Sequence, residues 1–179
     1  PCPYTATVPG TFTFHIPVGV ASMTFNVYGG GGGGGGGYWA VVAGLHGGAG
    51  GNGAHMVGID MPVSPADWGS EITIVVGDGG LGGNGGRLFN GEIDFPQDGH
   101  AGQASSVTIG STTVITANGG AAGDGAHPIG WQSGADHATY DPSAEAGAGG
   151  DGGAASSNSS ARHGQKGEAG QVEIYCTMV

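Results

Sequence analysis

The sequence predicts an all-β fold: a small antiparallel β-sheet or sandwich module carrying packed polyglycine II helices, with essentially no α-helix. Three observations lead there. Glycine supplies 44 of 179 residues and recurs at every third position over long runs. Outside those runs, apolar and polar residues alternate with the two-residue period of a half-buried strand. No window shows the 3.6-residue period of an amphipathic helix. The length suits one domain, and 1–179 reads as a single glycine-rich β/polyglycine II domain.

Taken in order, Phe12, Phe14 and Ile16 alternate with Thr11, Thr13 and His15, which predicts a first strand. Pro17-Val18-Gly19 is a turn. Met23, Phe25 and Val27 alternate with Ser22, Thr24 and Asn26, a second strand expected to pair with the first as a hairpin. Residues 29–37 are all glycine, followed by Tyr38-Trp39. Gly44, Gly47, Gly50 and Gly53 restore a three-residue register. Residues 56–63 read as extended, ended by Ser64-Pro65, and 71–76 form a third strand. That strand runs into Gly77-Asp78-Gly79-Gly80-Leu81-Gly82-Gly83-Asn84-Gly85-Gly86, where only every third residue carries a side chain. Val107-Thr108-Ile109 and Thr113-Val114-Ile115 flank Gly110-Ser111, a hairpin turn. Glycine returns at 119–125, at Gly147, Gly150 and Gly153, and at Gly164, Gly167 and Gly170. Val172, Ile174 and Cys176 alternate in a closing strand.

A three-residue period is that of the polyproline II helix, which rises about 3.1 Å per residue and makes no internal hydrogen bonds. Its N–H and C=O groups need partners on neighbouring segments or in water. Two glycines per triplet suit a segment enclosed by other backbones. Collagen is excluded, because strands and loops interrupt the triplets and proline is scarce within them.

Fourteen acidic residues stand against three basic ones, Arg87, Arg162 and Lys166, for a formal net charge of −11. This argues against nucleic-acid binding, which needs a basic footprint, and against docking on an anionic membrane. No apolar run approaches the ~18 residues of a spanning helix, so no membrane insertion is expected, and no signal-peptide pattern is visible. High glycine and net charge favour disorder, but 37% hydrophobic residues gathered into patterned strands favour a folded chain. Cys2 and Cys176 lie near strands at opposite ends. A disulfide between them is expected, and in the chain-entropy model it is worth about 4–5 kcal/mol; the alternative is two unrelated buried thiols. A disulfide implies an oxidising, extracellular setting.

Catalytic and cofactor signals are weak. Gly77-Asp78-Gly79-Gly80-Leu81-Gly82 spells G-x-G-x-x-G after a strand, but glycine continues where a dinucleotide site needs a helix. Asp78, Asp124 and Asp151 occur singly, not in the tandem repeats of calcium-binding β-helices, and read as solvated carboxylates. The seven histidines show no ligand spacing. Asp136, His137 and the serines make no recognisable triad. The chain is therefore read as non-enzymatic, with no cofactor and no metal set. Asn158-Ser159-Ser160 matches the N-glycosylation acceptor pattern, a short signal that also arises by chance.

The order of Thr11-Phe12-Thr13-Phe14, Pro17-Val18-Gly19-Val20, Met23-Thr24-Phe25-Asn26-Val27-Tyr28 and the glycine run at 29–37 resembles the glycine-rich domains of bacteriophage tail fibres and related surface proteins. The likeness continues through 72–80, Gly102-Gln103-Ala104-Ser105-Ser106-Val107 and Ala117-Asn118-Gly119-Gly120 to Gly170-Gln171-Val172-Glu173-Ile174-Tyr175. The resemblance implies a β module with polyglycine II segments, exposed on a virion or cell surface, that binds a host-surface or cell-surface component; a secreted protein using the same fold is the other setting expected. The terminal cysteines depart from what a phage structural protein assembled in a reducing cytoplasm would carry.

Binding residues concentrate in loops. The loops at 38–46, 87–98 and 126–141 hold the candidates Trp39, Phe89, Trp131, His137 and Tyr140, since aromatic rings give large contact area at modest entropic cost. The same rings could instead cover the sheet and bundle, and for Trp39 a core or subunit contact is the stronger expectation. The leading functional expectation is an adhesin or receptor-binding module. The alternative is a self-assembling subunit of an extracellular filament or matrix, a homo-oligomer or polymer of its own copies. Ice binding is a weaker third.

Overall fold

The structure, a computed structural model, describes every residue except Pro142, Ser143 and Glu145. Its strands are β1 (Tyr4–Ala6), β2 (Gly10–His15), β3 (Val20–Tyr28), β4 (Tyr38–Ala40), β5 (Ala43–Leu45), β6 (His55–Pro62), β7 (Glu71–Val76), β8 (Gly86–Phe89), β9 (Glu92–Asp94), β10 (Ser105–Ile109), β11 (Thr112–Ala117) and β12 (Gln171–Met178). A 3-10 turn at Pro65–Asp67 and a four-residue helix α1 (Ser159–Arg162) complete the regular elements. The all-β expectation holds.

Two four-stranded antiparallel sheets, ordered β1-β12-β3-β6 and β11-β10-β7-β2, enclose the main core. Phe25, Met23, Val27, Val172 and Ile174 of the first sheet meet Phe14, Ile72, Ile74 and Val107 of the second. The alternation in β2 and β3 is as read, but their pairing is not. The hairpin expected between them does not form: β2 pairs with β7, with Phe14 opposite Ile72, and β3 pairs with β12 and β6. Pro17-Val18-Gly19, with Gly19 at φ 87°, carries the chain across from one sheet to the other. The reason is burial. A hairpin would put both apolar faces in one layer, whereas opposed sheets bury each against the other. The Gly110-Ser111 hairpin does form, joining β10 to β11.

Cys2 and Cys176 form the disulfide, with Cα atoms 6.0 Å apart. β1 pairs with β12 at Tyr4 opposite Ile174, which brings the two cysteines together.

From the sheets the chain runs out and back repeatedly as extended glycine-rich segments. Residues 29–37 are the buried hub. Each of their nine N–H groups donates to a carbonyl at 2.7–3.0 Å: Gly29, Gly32 and Gly35 to segment 48–54, Gly30, Gly33 and Gly36 to 97–103, and Gly31, Gly34 and Gly37 to 162–168. Their carbonyls accept in the same rotation. Gly80, Gly83 and Gly86 donate to Gly31, Gly34 and Gly37; Gly120, Gly123 and Ala126 to Gly30, Gly33 and Gly36; Gly150 and Gly153 to Gly32 and Gly35. The three segments that accept run antiparallel to the hub, and the three that donate run parallel to it. Six helices thus surround one, and the three-residue register read from the sequence is the register of these hydrogen bonds. A further segment, 134–139, lies outside the ring against 46–52.

Glycine content follows this geometry. Segments 97–103 and 164–170 need one glycine per triplet, facing the hub: a Cβ on Gly99 or Gly167 would overlap hub carbonyls. Segment 77–86 needs two, because Gly80 and Gly83 abut 97–103 while Gly79 and Gly82 abut 164–167. Asp78, Leu81 and Asn84 occupy the third position. Asp78 is not simply solvated: Lys166 Nζ donates to it at 2.7 Å, which holds its carboxyl below the ordinary range.

Candidate recognition site at the far end of the glycine bundle

The hub enters from the sheets at Gly29 and leaves at Gly37, so the loops that follow outward segments collect at the end away from the core. Four do so, spanning 38–46, 87–96, 127–133 and 155–162. The first two are hairpins, β4–β5 and β8–β9, and β4 pairs with β8 to make a third, four-stranded sheet. That pairing is parallel because 29–37 and 77–86 leave the core in the same direction. Asn90-Gly91, with φ of 51° and 82°, is the turn between β8 and β9. It has the Asn-Gly sequence favoured where both turn residues need positive φ.

Backbone strain gathers here. Among the described residues, the non-glycine residues with left-handed backbone are Val41 (φ 35°), Asn90 and Trp131 (φ 54°), all in these loops. A β-branched residue such as Val41 is an outlier there, and such strain clusters at functional sites. Apolar side chains are also left open: Val42 is 87% exposed, Ile129 78% and Phe89 58%.

Trp39 and Phe89 line one cavity of about 460 Å³, together with Val41, Leu88, Arg87 and Arg162. Arg87 lies over the Phe89 ring at 5.0 Å from its centroid, a cation–π contact, and faces Asp94 across a loose 4.0 Å approach. Trp131 belongs to the same end of the bundle, edge-on to the buried Tyr38 with ring centroids 6.2 Å apart, and remains half-exposed. Trp39 is only partly buried and serves as a cavity wall.

This chain belongs to a family of glycine-rich domains. A family model described as a glycine-rich domain matches residues 5–177, which takes in strands of all three sheets, the bundle and the loops. No curated protein matches the chain. In this glycine-rich domain the remaining two aromatic-loop candidates lie elsewhere. His137 sits on the outlying segment, its N–H donating to Ala49 O and its Nδ1 3.1 Å from Thr139 Oγ1. Tyr140 donates its hydroxyl to the Asp151 carboxylate. That bond, with burial and the charges of Asp151, Asp136 and Asp141, pushes its pKa up to about 12. The loop expected at 126–141 is thus two structures: a turn at the far end, closed by His127 and Gln132, and a returning segment.

Arg162 escaped the sequence reading as a site residue, although it is one of only three basic residues. It ends α1, and its carbonyl accepts from Gly37 N–H at 2.7 Å. The residue is 4% exposed. Nη1 donates to the carbonyls of Ser156 and Ser157, and Nε is buried without a partner. Burial, and then the nearby Arg87, lower its pKa. Asn158 caps α1 by accepting from Ser160 N–H and is exposed. Among the described residues, no group of three or more His, Cys, Asp or Glu side chains is placed to hold a metal. No described helix is long and apolar enough to cross a membrane.

Proposed function

We propose that this glycine-rich domain is a non-enzymatic recognition module of an extracellular or virion surface, an adhesin that presents its far-end loops to a host-surface or cell-surface component. One observation carries the reading. A rigid bundle holds strained loops with exposed aromatic and aliphatic side chains at the end opposite the disulfide-closed sheets. Such a layout separates a scaffold from a variable contact surface. Trp39, Phe89 and Trp131 are the contact residues of this proposal. His137 and Tyr140 are not part of this surface, because they lie along the side of the bundle, against Ala49 and Asp151.

The filament reading draws on β6, an edge strand whose Val57 is 56% exposed. Its register shifts opposite Asn26, beside Gly58 at φ 69°, and a bulged edge resists strand addition, which favours the adhesin. Ice binding would want short, uniform side chains on one face; Asp78, Leu81 and Asn84 are not uniform.

The experiment is surface binding by the labelled, non-reduced chain, compared with a Trp39→Ala/Trp131→Ala double variant and with Leu81→Ala, whose side chain projects from the bundle. Loss of binding in the double variant alone supports the reading. Equal binding by all three sinks it, and long uniform fibres in electron micrographs of the wild-type chain would favour the filament.

A further inference from the structure

The chain carries fourteen acidic residues and three basic ones, yet two of the three, Arg87 and Arg162, line a single cavity with Trp39 and Phe89. Chance does not favour that placement in a molecule of net charge −11. Arg162 sharpens the point. The residue is only 4% exposed, the hydrogen-bond partners of its guanidinium are two neutral carbonyls, and Nε is buried with no partner. Among the described residues no carboxylate forms an ion pair with it. A buried charge without a counter-ion is costly, and that cost falls when a ligand supplies the counter-charge. Arg87 does face Asp94, but at 4.0 Å with both side chains exposed. Such a pair is weak and yields to a better-placed anion.

The aromatic walls define the rest of the ligand. Trp39 and Phe89 line the cavity with aromatic rings, Arg87 lying over that of Phe89, beside Asn90 and Ser157, and the cavity is within the range of small-molecule sites. A ligand that suits both halves has a face of C–H groups, several hydroxyls and one anionic group.

Resting on the recognition reading above, we infer that this cavity binds an anionic sugar, whose ring packs against Trp39 and Phe89 while its carboxylate or phosphate is held by Arg87 and Arg162. The planar guanidinium fork matches either anion.

Calorimetric titration of the full-length, non-reduced chain tests this with three probes: trigalacturonate, its methyl ester, and glucose 6-phosphate. The ester keeps the shape of trigalacturonate and removes its charge. Saturable binding of trigalacturonate or glucose 6-phosphate is expected, and whichever binds assigns the anion. If trigalacturonate is the one, its ester binds at least about tenfold more weakly. Arg87→Gln, an exposed position that leaves the fold intact, weakens binding of the anionic probe by about tenfold, and added salt weakens it further. Arg162→Lys keeps the charge but loses the fork, and is read only where its denaturation midpoint matches wild type; there it too weakens binding. Saturation by none of the probes overturns the inference, as does an ester that binds as well as the acid, or Arg87→Gln binding like wild type. If surface binding depends on Trp39 and Trp131 while all three probes fail, the recognition reading stands and the anionic sugar falls. If surface binding ignores those residues, the recognition reading falls.

Discussion

At Gly33 a methyl group has nowhere to go. A Cβ there would lie well under 3.0 Å from the backbone of Gly80 and Leu81, and backbone on every side is tied into the same ladder. Gly33→Ala is therefore expected to cost roughly 3–5 kcal/mol, as a drop in the denaturation midpoint. Leu81→Ala, on the outer face of the neighbouring segment, should stay within about 0.5 kcal/mol; equal costs at the two positions would refute the hub. Tyr140 offers a second residue-scale test. Its pKa of about 12 lies above the unfolded value of about 10, so the folded state holds the phenol proton more tightly. That stabilisation is fully present below pH ~10 and is lost as pH rises through 10 to 12. Ultraviolet titration should show Tyr140 ionising late, and Asp151→Asn should restore it toward 10; no change in Asp151→Asn would mean the bond to Asp151 is not the cause. The outward third positions of each triplet were legible in the sequence. The buried Arg162, with its unpartnered Nε, was not, because burial of one side chain depends on how three separate loops meet.

Among elements, the strands were readable and their partners only in part. Alternation located β2, β3, β7, β10 and β12, since side-chain period is a local property. Partnering depends on which apolar faces oppose each other, and there locality misled: β2 and β3 are consecutive yet belong to different sheets. The link between the two ends of the chain was anticipated through Cys2 and Cys176, though the pairing of β1 with β12 was not, and the disulfide spans 174 residues of sequence. Reduction releases nearly the whole chain as one loop. The expected loss is about 2–5 kcal/mol, or roughly 5–15 °C in melting midpoint for a chain of this size. Scanning calorimetry of the Cys2→Ser/Cys176→Ser variant would measure it, and an unchanged midpoint would show that the sheet pairing of β1 holds the terminus unaided.

For the whole molecule, the arrangement of six helices around one predicts a gradient of stability. The hub amides from Gly30 to Gly37 are buried and bonded to three different segments, so they can exchange with solvent only when the bundle opens. Hydrogen exchange should find them protected to nearly the global unfolding free energy, whereas the far-end turns at Val41–Val42 and Ile129–Gly130 exchange early. Fast exchange along 29–37 would contradict a packed hub. The sequence by itself determined that the chain is all-β, that its glycine segments are three-residue-period helices, and that these need neighbours, because period and the absence of internal hydrogen bonds are properties of a single segment. Only the tertiary structure decided which segment is the hub, which loops share an end, and that two of three cations line one cavity. Those outcomes depend on the direction in which each segment runs and on which carbonyls it faces, and both are set by contacts between residues far apart in the chain.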